Sequence, residues 1–250
     1  MPRRKKHIDD ILQHWEFEPD EMNVRLVKGI DRRDVLQMRI DMGLLQLEIE
    51  GRPDGESPEG FQTFYDLLVA ESLPEGNDFV MTDEQCREAD REFVQFYHRR
   101  ICWLALRHYD DAVRDATHTL NLMDFCRRHS PDEEWTLTHE QYRPFVLFHR
   151  TQADALAALE DEENGAEIAI KAINDGLDRL RLFFDDFELE ERFEDDEFVK
   201  RLVELRESVR ERFAVGRTLQ EQLDDAVANE QYELAARLRD QLHDREGHRH

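Results

Sequence analysis

Between residues 58 and 213 apolar side chains recur at three- and four-residue steps in one run after another, and that period specifies helix. Phe61, Phe64, Tyr65 and Leu68 mark a first amphipathic helix, broken by the Pro- and Gly-bearing stretch 72–78. Thr82, with acids directly behind it, opens the next helix. That helix runs to about residue 108, with Phe93, Phe96, Tyr97, Ile101, Trp103, Leu104 and Leu106 as a wide apolar stripe. An antiparallel partner begins at Tyr109, carries Leu120, Leu122, Met123 and Phe125, and stops at Ser130-Pro131. Residues 136–160 predict one long helix through Tyr142, Phe145, Leu147, Phe148, Ala153, Ala157 and Leu159. Asn164-Gly165 turns the chain, and residues 166–184 return with Ile168, Ile170, Ile173, Leu177 and Leu180.

Composition agrees with narrow stripes and broad solvated faces. The chain is 40% apolar and 37% charged, which disfavours a thick sheet core, and its 250 residues suffice for one large domain or two modest ones. A formal charge of -25 repels a phosphate backbone, so direct DNA binding is not expected. Cys86, Cys102 and Cys126 are odd in number and lack CxxC spacing, which argues against a disulfide framework or a zinc knuckle. No apolar segment follows the basic start, and no run reaches the ~18 residues of a membrane span. A cytoplasmic protein without metal or cofactor is expected.

The N-terminal quarter has another texture. Residues 1–22 read as loosely ordered, with Ile8, Ile11, Leu12 and Trp15 spaced for one docking turn and a basic tip at 3–6. Within residues 23–57, Leu36, Met38 and Ile40 alternate with polar neighbours, as do Leu45, Leu47 and Ile49, so a β-hairpin or meander is expected. A helix sharing Leu36, Ile40, Leu44 and Leu47 also fits, though Gly43 would weaken its interior by ~1 kcal/mol. The turn-rich loop 51–60 follows. Its Arg52 and Asp54 either face an anion or partner, or form a rigid connector in which Arg52 pairs with a local acid.

Residues 187–216 combine an acidic boundary, with Phe187, Leu189 and Phe193 interleaved, and a helix carrying Phe198, Leu202, Leu205, Val209 and Phe213 as a coiled-coil-like seam. Gly216 stands where a helix would end, and Thr218-x-x-Glu221 is a capping box that starts another. Leu219, Leu223, Ala226 and Val227 give the new helix its stripe. Asn229 breaks it, and Leu234, Ala235, Leu238 and Leu242 form one face of a second helix, with Tyr232 and Ala236 on the turn side. Helices of about three turns are marginal alone in water, so residues 217–243 must bury that face on upstream helices or across an interface. Residues 244–250 are a polar tail.

The series Leu219, Leu223, Ala226, Glu230, Tyr232-Glu233, Ala235-Ala236, Leu238-Arg239-Asp240 and Leu242 resembles the UVR motif, with Tyr where Phe is common. That helical hairpin occurs in UvrB and UvrC of bacterial nucleotide excision repair, in Clp-type ATPases and in the kinase activator McsA. The resemblance implies a protein-interaction module using those leucines and alanines, with Tyr232 and Arg239, toward a UVR-bearing partner or a second copy. Tyr109-Asp-x-Ala112 is similar to a tetratricopeptide-repeat junction, and Tyr232-Glu-x-Ala235 repeats it, although no regular period runs through the chain. The fold expected is therefore mainly α: antiparallel, TPR-like helical hairpins over residues 58–186, a small N-terminal β-hairpin or meander, and a C-terminal UVR-like hairpin.

No GxxxxGK[ST], HExxH, GxSxG or CxxC sequence is present, so neither ATPase nor helicase activity follows from the resemblance. His98 and Cys102 lie one helical turn apart, a spacing better explained by core packing beside Trp103. The expectation is a non-enzymatic scaffold linked through the motif to excision repair. An adaptor of a Clp-type protease or kinase complex, and an enzyme with a site near Arg52 and Asp54, stand as alternatives.

Overall fold

Alternation prevails over the helical reading near the N-terminus. β1 (Val24–Lys28), β2 (Asp34–Ile40) and β3 (Gly43–Glu48) form an antiparallel meander in that order. Leu36 lies opposite Leu26 and Leu47, and Met38 opposite Val24 and Leu45. Strand geometry puts these side chains on one face, where Leu36 and Leu47 pack with Cys102, Trp103 and Ala112. The opposite face carries a polar ladder: Arg25 donates to Gln37 at 2.7 and 3.0 Å, and Gln37 to Gln46 at 3.0 Å. The computed structural model describes residues 8–161 and 164–247, so the basic tip at 3–6 and the last three residues lie outside it. It divides the chain into two units, Met1–Ala153 and Asp154–His250. Ahead of the sheet is the single turn α1 (Asp9–Leu12), and Trp15 lies 4.0 Å under the Arg25 guanidinium. Part of the segment expected to be loose is thus held by a cation–π contact.

The helices of the first unit are α2 (Phe64–Ser72), α3 (Asp83–Leu106), α4 (Tyr109–His129), α5 (Glu133–Glu140) and α6 (Arg143–Ala158), the last running past Ala153. Thr82 and Gln85 close a capping box on α3. Arg107, left-handed at φ 61°, ends it, with its own N–H on Leu104 and the His108 N–H on Trp103. Two linking residues then turn the chain into α4. Residue 99 pairs with 115 and residue 92 with 118, so α3 and α4 run antiparallel. Fully buried Ala112 and Ala116 let them approach closely. The long helix expected over 136–160 is instead two, α5 and α6. Pro144 has no N–H to continue an earlier helix, but it fits the first turn of α6, where that donor would be free anyway.

The inner face of α3 departs most from the sequence reading. Tyr97 is 38% exposed, whereas Glu92, Arg99 and Arg100 are buried between Phe93, Phe96, Cys102 and Trp103. Arg99 donates through Nε and Nη2 to fully buried Asp115 at 2.7 and 2.8 Å, and through Nη1 to the Glu48 and Gly51 carbonyls at 3.0 and 2.8 Å. One side chain therefore ties α3, α4 and the end of β3 together. Glu92 accepts from the Phe64 and Tyr65 amides at 2.7 and 2.9 Å and lies 2.9 Å from His118 Nε2, capping α2 from another helix.

Arg100 donates to Thr119 at 3.1 Å and to His149 Nδ1 at 3.3 Å, an arrangement that needs a neutral imidazole. Burial, then the adjacent guanidinium, pushes the His149 ring from 6.5 down to about 3. Its folded value is depressed, so its contribution is fully present above the unfolded value and is lost as pH falls toward the folded one, because the unfolded chain takes the proton first. That loss is ~1.4 kcal/mol per pH unit within the window. In urea titrations of native protein and His149→Gln, the stability difference between pH 7 and pH 5 is expected to shrink by roughly 2 kcal/mol in the variant. An unchanged difference would place the acid sensitivity elsewhere.

The second unit holds α7 (Gly165–Asp186), a 3-10 turn at Glu190–Asp195, α8 (Glu197–Phe213), α9 (Leu219–Ala228) and α10 (Tyr232–Gly247). The acidic boundary is anchored by Phe193, which is buried edge-on against Phe184 at 5.9 Å and lies under the Arg181 guanidinium. Asp196 caps α8 through the Phe198 and Val199 amides at 2.8 and 3.1 Å. Val199, Leu202 and Val209 are its buried residues, while Phe213 is 45% exposed. α8 ends at left-handed Ala214, not at Gly216, because the Val215 N–H already closes onto the Arg210 carbonyl.

Candidate interaction site

The C-terminal helices form a hairpin with its own small core. Ala226, Ala235 and Leu238 are its buried residues, with Leu219 and Leu223 packed against them. α9 starts at Thr218, whose hydroxyl accepts from the Glu221 N–H at 3.2 Å while Glu221 Oε2 accepts from the Thr218 N–H at 2.7 Å. At the other end, the Gln231 N–H bonds to the Ala226 carbonyl at 2.7 Å and Glu230 is left-handed at φ 56°, which turns the chain within residues 229–231. Flanking this turn, Val227, Tyr232 and Leu234 are 53%, 69% and 43% exposed. Residues 217–243 match the UVR family model, the UvrB/uvrC motif. No curated protein and no solved structure matches the chain.

In this UVR-type hairpin the residues singled out from sequence separate into two groups. Leu219, Leu223, Ala226, Ala235 and Leu238 face each other inside it. Tyr232, Ala236 and Arg239 face out, and Arg239 bonds to Asp240 at 2.9 Å. The side chain of Leu242 lies outside the described residues. Leu234, expected on the face of Ala235 and Leu238, is turned outward with Tyr232. A substitution such as Ala235→Glu would therefore disrupt the hairpin itself before any interface.

The hairpin is also held to the helices of its own unit through Glu221. Its Oε1 accepts from Asn174 of α7 at 3.0 Å and from Arg210 of α8, with Arg206 Nη1 at 3.8 Å. Burial alone would push this carboxyl up. The Thr218 amide, Asn174 and Arg210 outweigh burial and hold it below its ordinary value. In sequence Glu221 reads only as a capping residue. The signal for its second role is the pair Arg206 and Arg210, one turn apart on α8.

In the first unit, residues 50–62 line an open cleft of about 370 Å3 that includes Glu50, Arg52, Glu56 and Gln62. Arg52 does not present a free cation there. Its side chain is 1% exposed and faces Glu88, with Nε 3.2 Å from Gln95 Oε1, 3.4 Å from Asp54 and 3.6 Å from Glu92. Asp54 also accepts from Gln95 at 2.7 Å. The anion-facing reading of Arg52 is thereby replaced by that of a rigid connector clamping the loop onto α3, because local carboxylates satisfy the guanidinium. Among the described residues no group of three or more His, Cys, Asp or Glu is placed to hold a metal. No helix there is long and apolar enough to cross a membrane. Cys102 and Cys126 are buried, and burial pushes the Cys102 thiol up to about 12, the opposite of an activated nucleophile.

Proposed function

We propose that this chain is a non-enzymatic interaction protein that presents its UVR-type hairpin to a protein partner carrying a hairpin of the same kind, with excision repair as the process the motif suggests. One observation carries the reading. The hairpin closes its own core and still exposes Val227, Tyr232 and Leu234 around its turn. A large aromatic with a polar tip at the end of a rigid element suits an interface anchor. Arg52 is paired inward with Glu88 and Asp54, which favours the interaction reading over a site built on that guanidinium. A charge of -25 supports a protein partner over DNA and works against self-association.

Affinity purification from native cells, with the full chain as bait, tests this against Tyr232→Asp. The variant removes an exposed side chain and should leave the circular dichroism spectrum unchanged. A hot-spot loss of about 2 kcal/mol or more would cut capture roughly 30-fold. Equal capture by both baits would move the interface off the hairpin turn.

A further inference from the structure

We propose that Glu221 is a positioning latch: it holds the hairpin in one orientation against α7 and α8 through Asn174 and Arg210, separately from its role as the α9 cap. The division of labour is visible in its two oxygens. Oε2 serves the cap, accepting from the Thr218 amide at 2.7 Å, and Oε1 serves the latch, accepting from Asn174 Nδ2 at 3.0 Å and from Arg210. Asn174 is itself oriented, since its Oδ1 accepts from Arg206 Nη1 at 2.9 Å and its amide group must then point at Glu221. Glu221 and Arg210 side chains are each 16% exposed, so water competes weakly for these bonds.

The latch matters because, among the described residues, the hairpin's apolar cluster does not include residues of α7 or α8. Its members, Leu219, Leu223, Ala226, Ala235 and Leu238, all lie on α9 and α10. The link to α8 is the short segment 214–218. A flexible link of that length would let the hairpin wander on the order of 10 Å. A fixed orientation therefore depends on polar groups, and Glu221 gathers them. With the latch closed, Val227, Tyr232 and Leu234 remain exposed, so it preorganises the turn and does not hide it.

The chemistry of the capping box provides the test. Glutamine satisfies the N3 position of such a box as glutamate does, but cannot form the charged bond to Arg210. Nitroxide labels at Asp178→Cys and Gln241→Cys, both exposed, report the distance between α7 and α10 in the full chain by pulsed electron resonance. Glu221→Gln is expected to broaden a narrow distance distribution by on the order of 10 Å. Asn174→Ala, which leaves α9 and α10 untouched, should do the same. Thr218→Ala, which removes the cap hydroxyl alone, should leave the distribution narrow. An unchanged distribution in Glu221→Gln and Asn174→Ala overturns the latch, as does a native distribution that is already broad. Equal broadening by Thr218→Ala would assign the orientation to the cap. None of these readouts involves a partner, so the latch stands or falls independently of what the hairpin binds.

Discussion

Replacing Arg99 with methionine is expected to cost the first unit about 3–5 kcal/mol, because it removes the two short bonds to buried Asp115 and leaves that carboxylate only the longer contact with Arg114 at 3.4 Å. Arg99 spends its donors on two carboxylate oxygens and two carbonyls, and Asp115 is 0% exposed. Thermal unfolding by circular dichroism should show a midpoint drop of about 10 °C. The double variant Arg99→Met with Asp115→Leu should recover more than half of the loss, since a well-packed apolar pair can replace a buried ion pair at little cost. A single variant within 1 °C of native would mean that water reaches Asp115 and that the pair is not the tie inferred from its geometry.

Glu92→Leu is expected to be nearly as damaging, by a different route. It strips the Phe64 and Tyr65 amides of their acceptor and leaves His118 without the carboxylate 2.9 Å away. Each buried donor left unpaired costs about 1–3 kcal/mol, so a loss of about 3 kcal/mol is expected. Glu92→Gln keeps one acceptor oxygen and should lose less. Hydrogen exchange separates this from a general loosening. The Phe64 and Tyr65 amides should lose protection selectively in Glu92→Leu, and uniform loss across α3 and α4 would contradict a capping role.

Sequence made the scaffold legible where one local rule decides. Thr82-x-x-Gln85 and Thr218-x-x-Glu221 announce helix starts that the structure contains. Alternation around Leu36 and Leu47 pointed to the meander, in which the two lie opposite each other on the face that packs with Trp103. The failures share a cause: they depend on partners distant in the chain. Arg99 and Arg100 look like solvated charge until Asp115 and Thr119 are brought opposite them. Residues 136–160 keep a helical period through Pro144, and periodicity does not register a missing donor. At the candidate site the motif was legible, but the sorting of its residues was not. Leu234 and Ala235 are adjacent in sequence, and which of them turns inward is set by how α10 meets α9.

The closed core of the hairpin has a geometric consequence. Leu219, Leu223 and Ala226 already meet Ala235 and Leu238, so these side chains are engaged within the hairpin. Val227, Tyr232 and Leu234 stay exposed beside the turn at residues 229–231. Two hairpins of this kind would therefore meet by their turns, each keeping its own core intact.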